Sequence, residues 1–217
     1  MDIIDAIKER RSSRAYLDKP VAKETIEQLL TLATQAPSAI NLQPWEMVVV
    51  SGEEKSRLSR LLVKRMREKN ISCGPGAKSS PLPEHFMERQ RGLLDSMLPF
   101  LPKGLDFQDF INEGSCNFYG APTAIILTVD QVFSSARLTD MGIVVGYLVL
   151  AAHALGLGTC PIGLITAFDD EIKEELSLAD EKEVVIGIAL GYRDPDAPVN
   201  KARSERVPLA DLVKWRE

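Results

Sequence analysis

The chain has 217 residues, of which 45% are hydrophobic and 26% charged, as is typical of a soluble globular protein with its own core. This length favours one domain, or one domain with an insertion. The net charge of −5 and the pI near 5.3 argue against general binding to nucleic acid or anionic membranes. The initial MDIIDAIKERR has neither the basic head nor the apolar core of a signal peptide.

Cysteine and histidine usage points to a reduced, metal-free protein. Cys73, Cys116 and Cys160 are widely spaced, odd in number and form no CxxC pair. This pattern favours free thiols and a cytoplasmic location. The two histidines, His85 and His153, form no HxxxH or HExxH motif, so we expect no metal site.

The N-terminal region combines a short helix with a basic segment. Residues 2–10 predict a helix whose inner face carries Ile3, Ile4 and Ile7. The sequence RRSSR follows at 10–14. Arginine forks and serine hydroxyls bind phosphate well, but basic residues are also favourable at a helix C-terminus. The residues alone support these two interpretations equally.

A second helix and the first strand flank a polar loop. Residues 22–35 predict a helix, and residues 45–51 (WEMVVVS) predict a strand rich in β-formers. The loop 37–45 is bracketed by prolines. It offers hydrogen-bond donors and acceptors on Ser38, Asn41 and Gln43. Such loops are usually simple turns, but this one also suits a ligand with mixed polar edges.

The middle third has helix signals but no strand signals. We expect helices at about 53–69, 84–97 and 105–118, with a loop at 70–83. The stretch of about 70–118 resembles an insertion of the kind that forms lids or substrate walls. Its apolar side chains suit a pocket wall or ordinary core, and we favour core for most of them. They are Phe86, Met87, Phe100, Phe107, Phe110 and Phe118.

The most apolar stretch lies at 138–163, after a predicted strand at 123–129. Residues 141–155 are apolar on every face, which predicts a helix buried on all sides. Gly142 and Gly146 share one face, where another backbone can come close. That backbone belongs either to the same chain or to its copy in a dimer. The exit loop at 159–163 (TCPIG), stiffened by proline and opened by glycine, would let backbone N–H groups face a flat ligand.

The last elements are a helix, a strand and a second basic segment. Asp169 opens a helix to about Leu176, and residues 183–192 predict a strand buried on both faces. NKARSER follows at 200–206; it forms either a solvated tail or, with the first basic segment, an anion site. Few strands separated by helices indicate an α+β domain. No GxGxxG or GxxxxGK[ST] motif is present in the sequence.

Four motifs in order resemble the nitroreductase family of FMN-dependent oxidoreductases over nearly the whole chain. They are RRSSR at 10–14, APSAINLQPW at 36–45, GLGTCPIG at 156–163 and NKARSER at 200–206. The DPDAPVN…RSER tail is most similar to the nitrobenzoate or nitroaromatic reductase branch.

The resemblance implies one domain over 1–217, with the helical insertion at about 70–118 forming part of the substrate slot. The fold would be a mixed, mainly antiparallel sheet flanked by helices in an intertwined homodimer. The helix 140–155 would lie at the subunit interface, and residues beyond about 207 would reach over the partner.

The resemblance also implies two FMN sites at the interface. Arg10, Arg11, Ser12 and Arg14 would hold the phosphate and ribityl end, and Lys201 and Arg203 would complete the phosphate site. Ser38, Asn41 and Gln43 would come from the other subunit toward the ribityl chain and the ring. The isoalloxazine would lie beside Pro161, Ile162 and Gly163.

The implied mechanism is ping-pong. NAD(P)H gives hydride to flavin N5 and leaves, and an electron-poor small molecule then takes the same place and is reduced. A backbone N–H near N5, and positive charge such as that of Arg10 near N1, would stabilise the reduced flavin. No side chain is required as a general acid, so no catalytic residue is named.

Other interpretations stay open at this stage. The acceptor is alternatively a quinone, an enone or a halogenated aromatic, since fold does not fix function. A flavin-binding carrier or sensor without turnover, or a flavin-free structural dimer, also fits. Cys160 is either a reactive thiol or, as we favour, a small packed residue.

Overall fold

A four-stranded antiparallel sheet forms the centre of the fold. The computed structural model describes residues 2–74, 82–101 and 103–216. The strands are β1 (Trp45–Ser51), β2 (Thr123–Asp130), β3 (Gly158–Ile162) and β4 (Lys182–Gly191), in the spatial order β1-β2-β4-β3. All three strand pairs are antiparallel, and the parallel part is an isolated bridge between Ser12 and Thr159. The predicted α+β class is therefore confirmed.

The helices have bounds close to the predicted ones, except that the last helix was not predicted. They are α1 (Ile3–Glu9), α2 (Lys23–Ala33), α3 (Gly52–Glu68), α4 (Glu84–Met97), α5 (Phe107–Cys116), α6 (Leu138–Ala154), α7 (Asp169–Leu176) and α8 (Leu209–Leu212). The predicted loop at 70–83 and the proline-rich stretch near residue 102 fall partly outside the described residues.

The strand β3 was not expected. The sequence indicated a bare exit loop at 159–163, but Gly158–Ile162 pairs with β4, from Gly158 opposite Gly191 to Ile162 opposite Gly187. Pro161 is compatible with this pairing because β3 lies at the sheet edge, where one side of the strand needs no ladder donor. The interpretation of this segment as a loop was wrong.

Alternate side chains of the inner strands enter two separate cores. One face of β2 and β4 packs Ile125 and Ile188 against α2 and α6. The other face packs Ile126 and Ala189 against α3 and α7. A strand's side chains alternate between faces, so both inner strands are buried on both sides, as predicted for β4.

Only one face of α6 is covered. Val144, Leu148 and Ala152 are buried against the sheet and α2. On the other side, a Cβ built on Gly142 or Gly146 meets no heavy atom within 4 Å. In the described part of the chain no helix packs on the glycine face, so the alternative that the same chain covers it is wrong. Cover by a copy of the chain in a dimer stays a prediction.

The apolar composition of α6 also satisfies a membrane-span test. Ser135–Ala154 is long and apolar enough to cross a membrane, judged by length and composition alone. Core helices of soluble proteins pass the same test. In this fold the helix packs along the sheet through its buried face.

The predicted inward face of α1 is wrong. Ile3, Ile4 and Ile7 are 61%, 57% and 59% exposed, whereas Ala6 is buried. The apolar pattern correctly indicated a helix. However, α1 has only 7 residues, and the residue that it buries is the small Ala6. The three isoleucines form an uncovered apolar surface.

Most of the aromatic side chains assigned to the core do not enter it. Phe118 is fully buried, but Phe86 is 43% exposed, and Phe100, Phe107 and Phe110 are half-buried. Most of α4 is exposed, and Met97 is its one fully buried residue among those described. Helical spacing of aromatics in this region therefore did not indicate a core.

Replacing Ile126 with alanine tests the contribution of the central strand. Ile126 is fully buried. The cavity should lower the free energy of unfolding by about 2–5 kcal/mol, measured by denaturant titration. The control Val132→Ala removes an 80% exposed side chain just after β2; it should change the same quantity by less than about 0.5 kcal/mol. Equal effects would contradict this account of the core.

Candidate functional site

The two basic segments meet in one cleft of about 300 Å³, here called the basic cleft. The cleft contains no carboxylate among its described lining residues. Its cations also form no ion pair within 4.0 Å anywhere in the described ranges. These cations are Lys8, Arg10, Arg11, Arg14, Arg203 and Arg206.

The first basic segment is extended rather than helical. The helix α1 ends at Glu9, and Arg10 has ψ 132°. Ser12 bridges Thr159, and the Ser13 N–H donates to the Thr159 carbonyl at 2.8 Å. The interpretation of this segment as a helix C-terminus therefore fails beyond Arg10, because the chain continues along the edge strand β3.

Gly158 allows this close approach. A Cβ on Gly158 would lie 2.6 Å from the Ser13 hydroxyl oxygen, closer than real atoms come. Since Ser13 is buried and its neighbours alternate in direction, Ser12 and Arg14 face the cleft.

Asn200 joins the two basic segments. The side-chain oxygen of Asn200 accepts a hydrogen bond from the Arg14 backbone N–H at 2.8 Å. The side-chain NH2 of Asn200 donates to the backbone carbonyls of Ala15 at 2.9 Å and Asp194 at 2.8 Å. The Arg193 guanidinium donates to the Asn200 backbone carbonyl. Asn200 is 1% exposed, so these bonds do not compete with bulk water.

The cleft is electrostatically crowded. Burial lowers the pKa of Arg10, and the charge of Arg206 lowers it further. Burial also lowers the pKa of Arg11, followed by the charges of Arg203 and Arg193. Both lowered pKa values show that positive charge in the cleft is destabilised by burial and by the neighbouring arginines. An anion in the cleft would relieve the repulsion.

Arg14 offers a direct indication that a group is to be bound. Its Nε is buried without a hydrogen-bond partner in the described structure. Buried polar atoms are nearly always paired, so an unpaired guanidinium nitrogen beside a cationic cleft suits an incoming acceptor. The unpaired nitrogen and the cationic donor set fit a phosphate monoester, with Ser12 and Ser204 as hydroxyl donors.

The loop at 37–45 lies apart from this cleft. Ile40, Asn41 and Gln43 have positive φ values of 45°, 61° and 47°. Among the hydrogen bonds that hold the loop, the Gln43 backbone N–H donates to the Ser38 hydroxyl at 2.9 Å, and the Ala39 backbone N–H donates to the Asp140 carboxylate at 3.2 Å. Asn41 and Gln43 are exposed.

The segment at the end of β3 also lies outside the basic cleft. Ile162 is buried, Pro161 is half-buried and Gly163 is exposed. A Cβ on Gly163 would meet no heavy atom within 4 Å, so open space lies beside this backbone. Lys201 is exposed and does not line the cleft, in contrast to Arg203.

Cys160 is a packed residue. It is 3% exposed and belongs to the core between the sheet, α3 and α7. Burial raises the pKa of its thiol, which keeps it protonated at neutral pH. This agrees with the interpretation that we favoured.

Several lining residues were missed from sequence. Lys8 and Arg206 add charge, and Leu93, Ser96 and Met97 of α4 form a wall. The RSER tail signalled Arg206, but nothing local marked Asn200 or the α4 residues as neighbours of the cleft. No cluster of three or more His, Cys, Asp or Glu side chains suitable for a metal occurs in the described ranges.

Comparisons with known proteins agree on one class. A model described as nitroreductase family matches residues 7–192. The chain is 35% identical to a 4-nitrobenzoate reductase from Pseudomonas putida, covering 94% of this chain and 92% of that protein. It is 31% identical to a chloronitrobenzene nitroreductase from Comamonas testosteroni, covering 98% and 96% of the two proteins.

A solved structure is similar over the same span. The FMN-dependent nitroreductase NfnB from Mycobacterium smegmatis, in complex with NADPH, superposes with a TM-score of 0.86. It is 31% identical and covers 99% of this chain and 97% of that chain. The fold and cleft thus define a nitroreductase-type protein. The chain belongs to the nitroreductase family.

Replacing Asn200 with alanine tests the junction of the two basic segments. The variant leaves the Arg14 N–H and the carbonyls of Ala15 and Asp194 without their buried partner. The free energy of unfolding should fall by about 1–3 kcal/mol, measured by denaturant titration. The control Gln90→Ala, at an exposed position on α4, should change it by less than about 0.5 kcal/mol. An equally small loss for Asn200→Ala would refute the proposed junction.

Proposed function

We propose that this protein is an FMN-dependent oxidoreductase that uses NAD(P)H to reduce nitroaromatic or similarly electron-poor small molecules. The observation that carries the proposal is the basic cleft, with its unpaired cations and the orphaned Arg14 Nε, within a nitroreductase fold. The named activities of its relatives support the same substrate class.

The basic cleft would hold the FMN phosphate. Arg10, Arg11 and Arg14 approach from one side and Arg203 from the other. Guanidinium forks match phosphate oxygens, and the dianion would neutralise much of the repulsion among these residues. Ser12 adds a hydroxyl toward the same end. Lys201 would contribute only if its exposed side chain turns toward the cleft.

The flavin ring would lie where a bare backbone meets the polar loop of a second subunit. Pro161, Ile162 and Gly163 would flank the ring, and the open space beside Gly163 supports this assignment. Ser38, Asn41 and Gln43 would come from the partner, consistent with the exposure of Asn41 and Gln43 away from the basic cleft of their own chain.

When bound, FMN would supply the reversible hydride transfer that no side chain of this chain can provide. The residues of the chain would bind and orient it. The Arg10 charge would favour an anionic ring nearby, and a backbone N–H at 161–163 would donate to it. We assign no catalytic side chain.

The insertion at about 70–118 would form a wall of the substrate slot. Leu93, Ser96 and Met97 of α4 line the basic cleft. An adjoining cavity of about 910 Å³ lies between α4 and residues 203–211. A flat acceptor could enter beside α4. On this proposal, residues 1–217 form one domain with this insertion.

The functional unit would be a homodimer built on the open face of α6. Gly142 and Gly146 leave room there for a close backbone. Tyr147 is 43% exposed beside them. The tail beyond residue 207 would cover the partner, since its apolar side chains are exposed in the described structure; they are Leu209, Leu212 and Trp215. We place the dimer in the cytoplasm, without membrane or nucleic-acid partners.

An anaerobic titration with NADPH and then NADH tests the function. The purified protein should show a visible flavin band that bleaches with at least one donor and returns when a nitroaromatic acceptor is added. A flavin band that neither donor bleaches would instead support a carrier or sensor. Recovery with quinones but not nitroaromatics would change the substrate class.

The variant Arg14→Ala is the matched test of the binding site. Loss of a charge-assisted bond should weaken FMN binding roughly ten-fold or more, measured by fluorescence titration of the apoprotein. Arg57→Ala, which removes an exposed guanidinium on α3 paired with Glu175, should bind FMN normally. Unchanged binding in both variants would leave the cleft without a role in flavin binding.

Replacing Gly146 with leucine tests the dimer. The new side chain would fill the open face of α6 and should convert the dimer to monomers, measured by sedimentation velocity. Gly92→Leu is the matched control, because Gly92 is also helical with no heavy atom within 4 Å of its Cβ. If both variants sediment alike as dimers, the interface lies elsewhere.

A further inference from the structure

Tyr119 lies behind the basic cleft, in contact with one of its cations. The Arg14 Cζ is 5.9 Å from the centroid of the Tyr119 ring, within the range of a cation–π interaction. The Tyr119 ring also packs against the ring of Phe110 in α5, at a centroid distance of 5.7 Å and an interplanar angle of 50°. Tyr119 itself does not line the cleft.

The helix α5 packs closely against the Tyr119 ring. A Cβ on Gly114 would lie 2.3 Å from Cε1 of Tyr119, so only glycine accommodates the ring at this distance. The Ser115 hydroxyl lies 3.5 Å from the Tyr119 hydroxyl. The insertion therefore contacts the ring along its edge and at its polar end.

The backbone around Tyr119 has an unfavourable conformation. Phe118 and Tyr119 have φ values of 57° and 51°, in the left-handed region that residues with a Cβ seldom adopt. Such conformations persist where the surroundings hold them, often at functional sites. Phe118 is fully buried and anchors the turn in the core, which directs the next side chain toward Arg14.

Arg14 has few other means of orientation. No carboxylate in the described chain forms an ion pair with Arg14, and its Nε has no hydrogen-bond partner there. Burial raises the pKa of Tyr119 to about 12, so the phenol stays neutral and offers its ring face rather than a charge. Because the Tyr119 ring is neutral, it does not neutralise Arg14, whose positive charge can then attract an anion in the cleft.

We propose that Tyr119 is a positioning residue that holds the Arg14 guanidinium toward the anionic group of the bound flavin, and so links the insertion to cofactor affinity. This inference rests on the proposed function, because it assigns Arg14 to flavin binding.

The test is a double-mutant cycle with the full-length apoprotein, with the FMN dissociation constant and the melting temperature as readouts. Tyr119→Leu should weaken FMN binding roughly 5- to 30-fold, while Tyr119→Phe retains the ring and should stay within about two-fold. In an Arg14→Gln background, Tyr119→Leu should have no further effect on affinity.

The controls separate positioning from general destabilisation. Ile172→Ala creates a cavity in the same core at a fully buried site on α7, and should lower the melting temperature without changing FMN affinity. Gly114→Ala should displace the ring and weaken binding although Tyr119 is still present. This variant keeps the test available if Tyr119→Leu does not fold.

Two results would overturn this inference but not the proposed function. One is an unchanged FMN affinity in Tyr119→Leu, and the other is an equal loss of FMN affinity from Tyr119→Leu with Arg14 present and with Arg14→Gln. If Arg14→Gln itself leaves FMN affinity unchanged, the assignment of Arg14 in the proposed function has failed instead.

Discussion

The candidate site depends on holding like charges together against their own repulsion. The basic cleft gathers six cations from the two ends of the chain, with no carboxylate in its described lining. The cationic side chains cannot hold this arrangement together themselves, since each positive charge repels the others. It comes from uncharged contacts behind them: the backbone pairing of residues 12 and 13 with β3, and the buried amide of Asn200. Neutral hydrogen bonds thus set up a charged site.

The same sheet serves both the core and the site. The inner strands β2 and β4 are buried on both faces, which leaves the edge strand β3 to receive the extended basic segment. Because β3 continues into the open backbone at Gly163, one strand orders the residues proposed for the phosphate and leads to those proposed for the ring. The helix α6 covers one side of the sheet and leaves an open face at Gly142 and Gly146, which is the face proposed for the dimer.

Sequence reasoning succeeded where local pattern and packing agree. Runs of β-forming and apolar residues located β1, β2 and β4, helical apolar patterns located most helices, and four ordered motifs identified the family. It failed where a residue's environment is set by distant chain. Pro161 suggested a loop, but an edge position makes it compatible with a strand. Ile3, Ile4 and Ile7 are apolar like core residues, but they are more than half exposed in the described structure. Asn200 gained its role only through a partner 186 residues away.

That separation has a consequence for folding. The Arg14–Asn200 bond joins positions 186 residues apart. This separation is larger than that of any strand pair in the sheet, so the cleft depends on contacts of higher order than the sheet does. During synthesis, RRSSR cannot form this junction until Asn200, 186 residues after Arg14, has left the ribosome. A growing chain would therefore carry exposed arginines without a selective anion pocket. On the proposed function, cofactor capture therefore has to wait until the chain between Arg14 and Asn200 has folded, and bound cofactor reports that this long-range junction has formed.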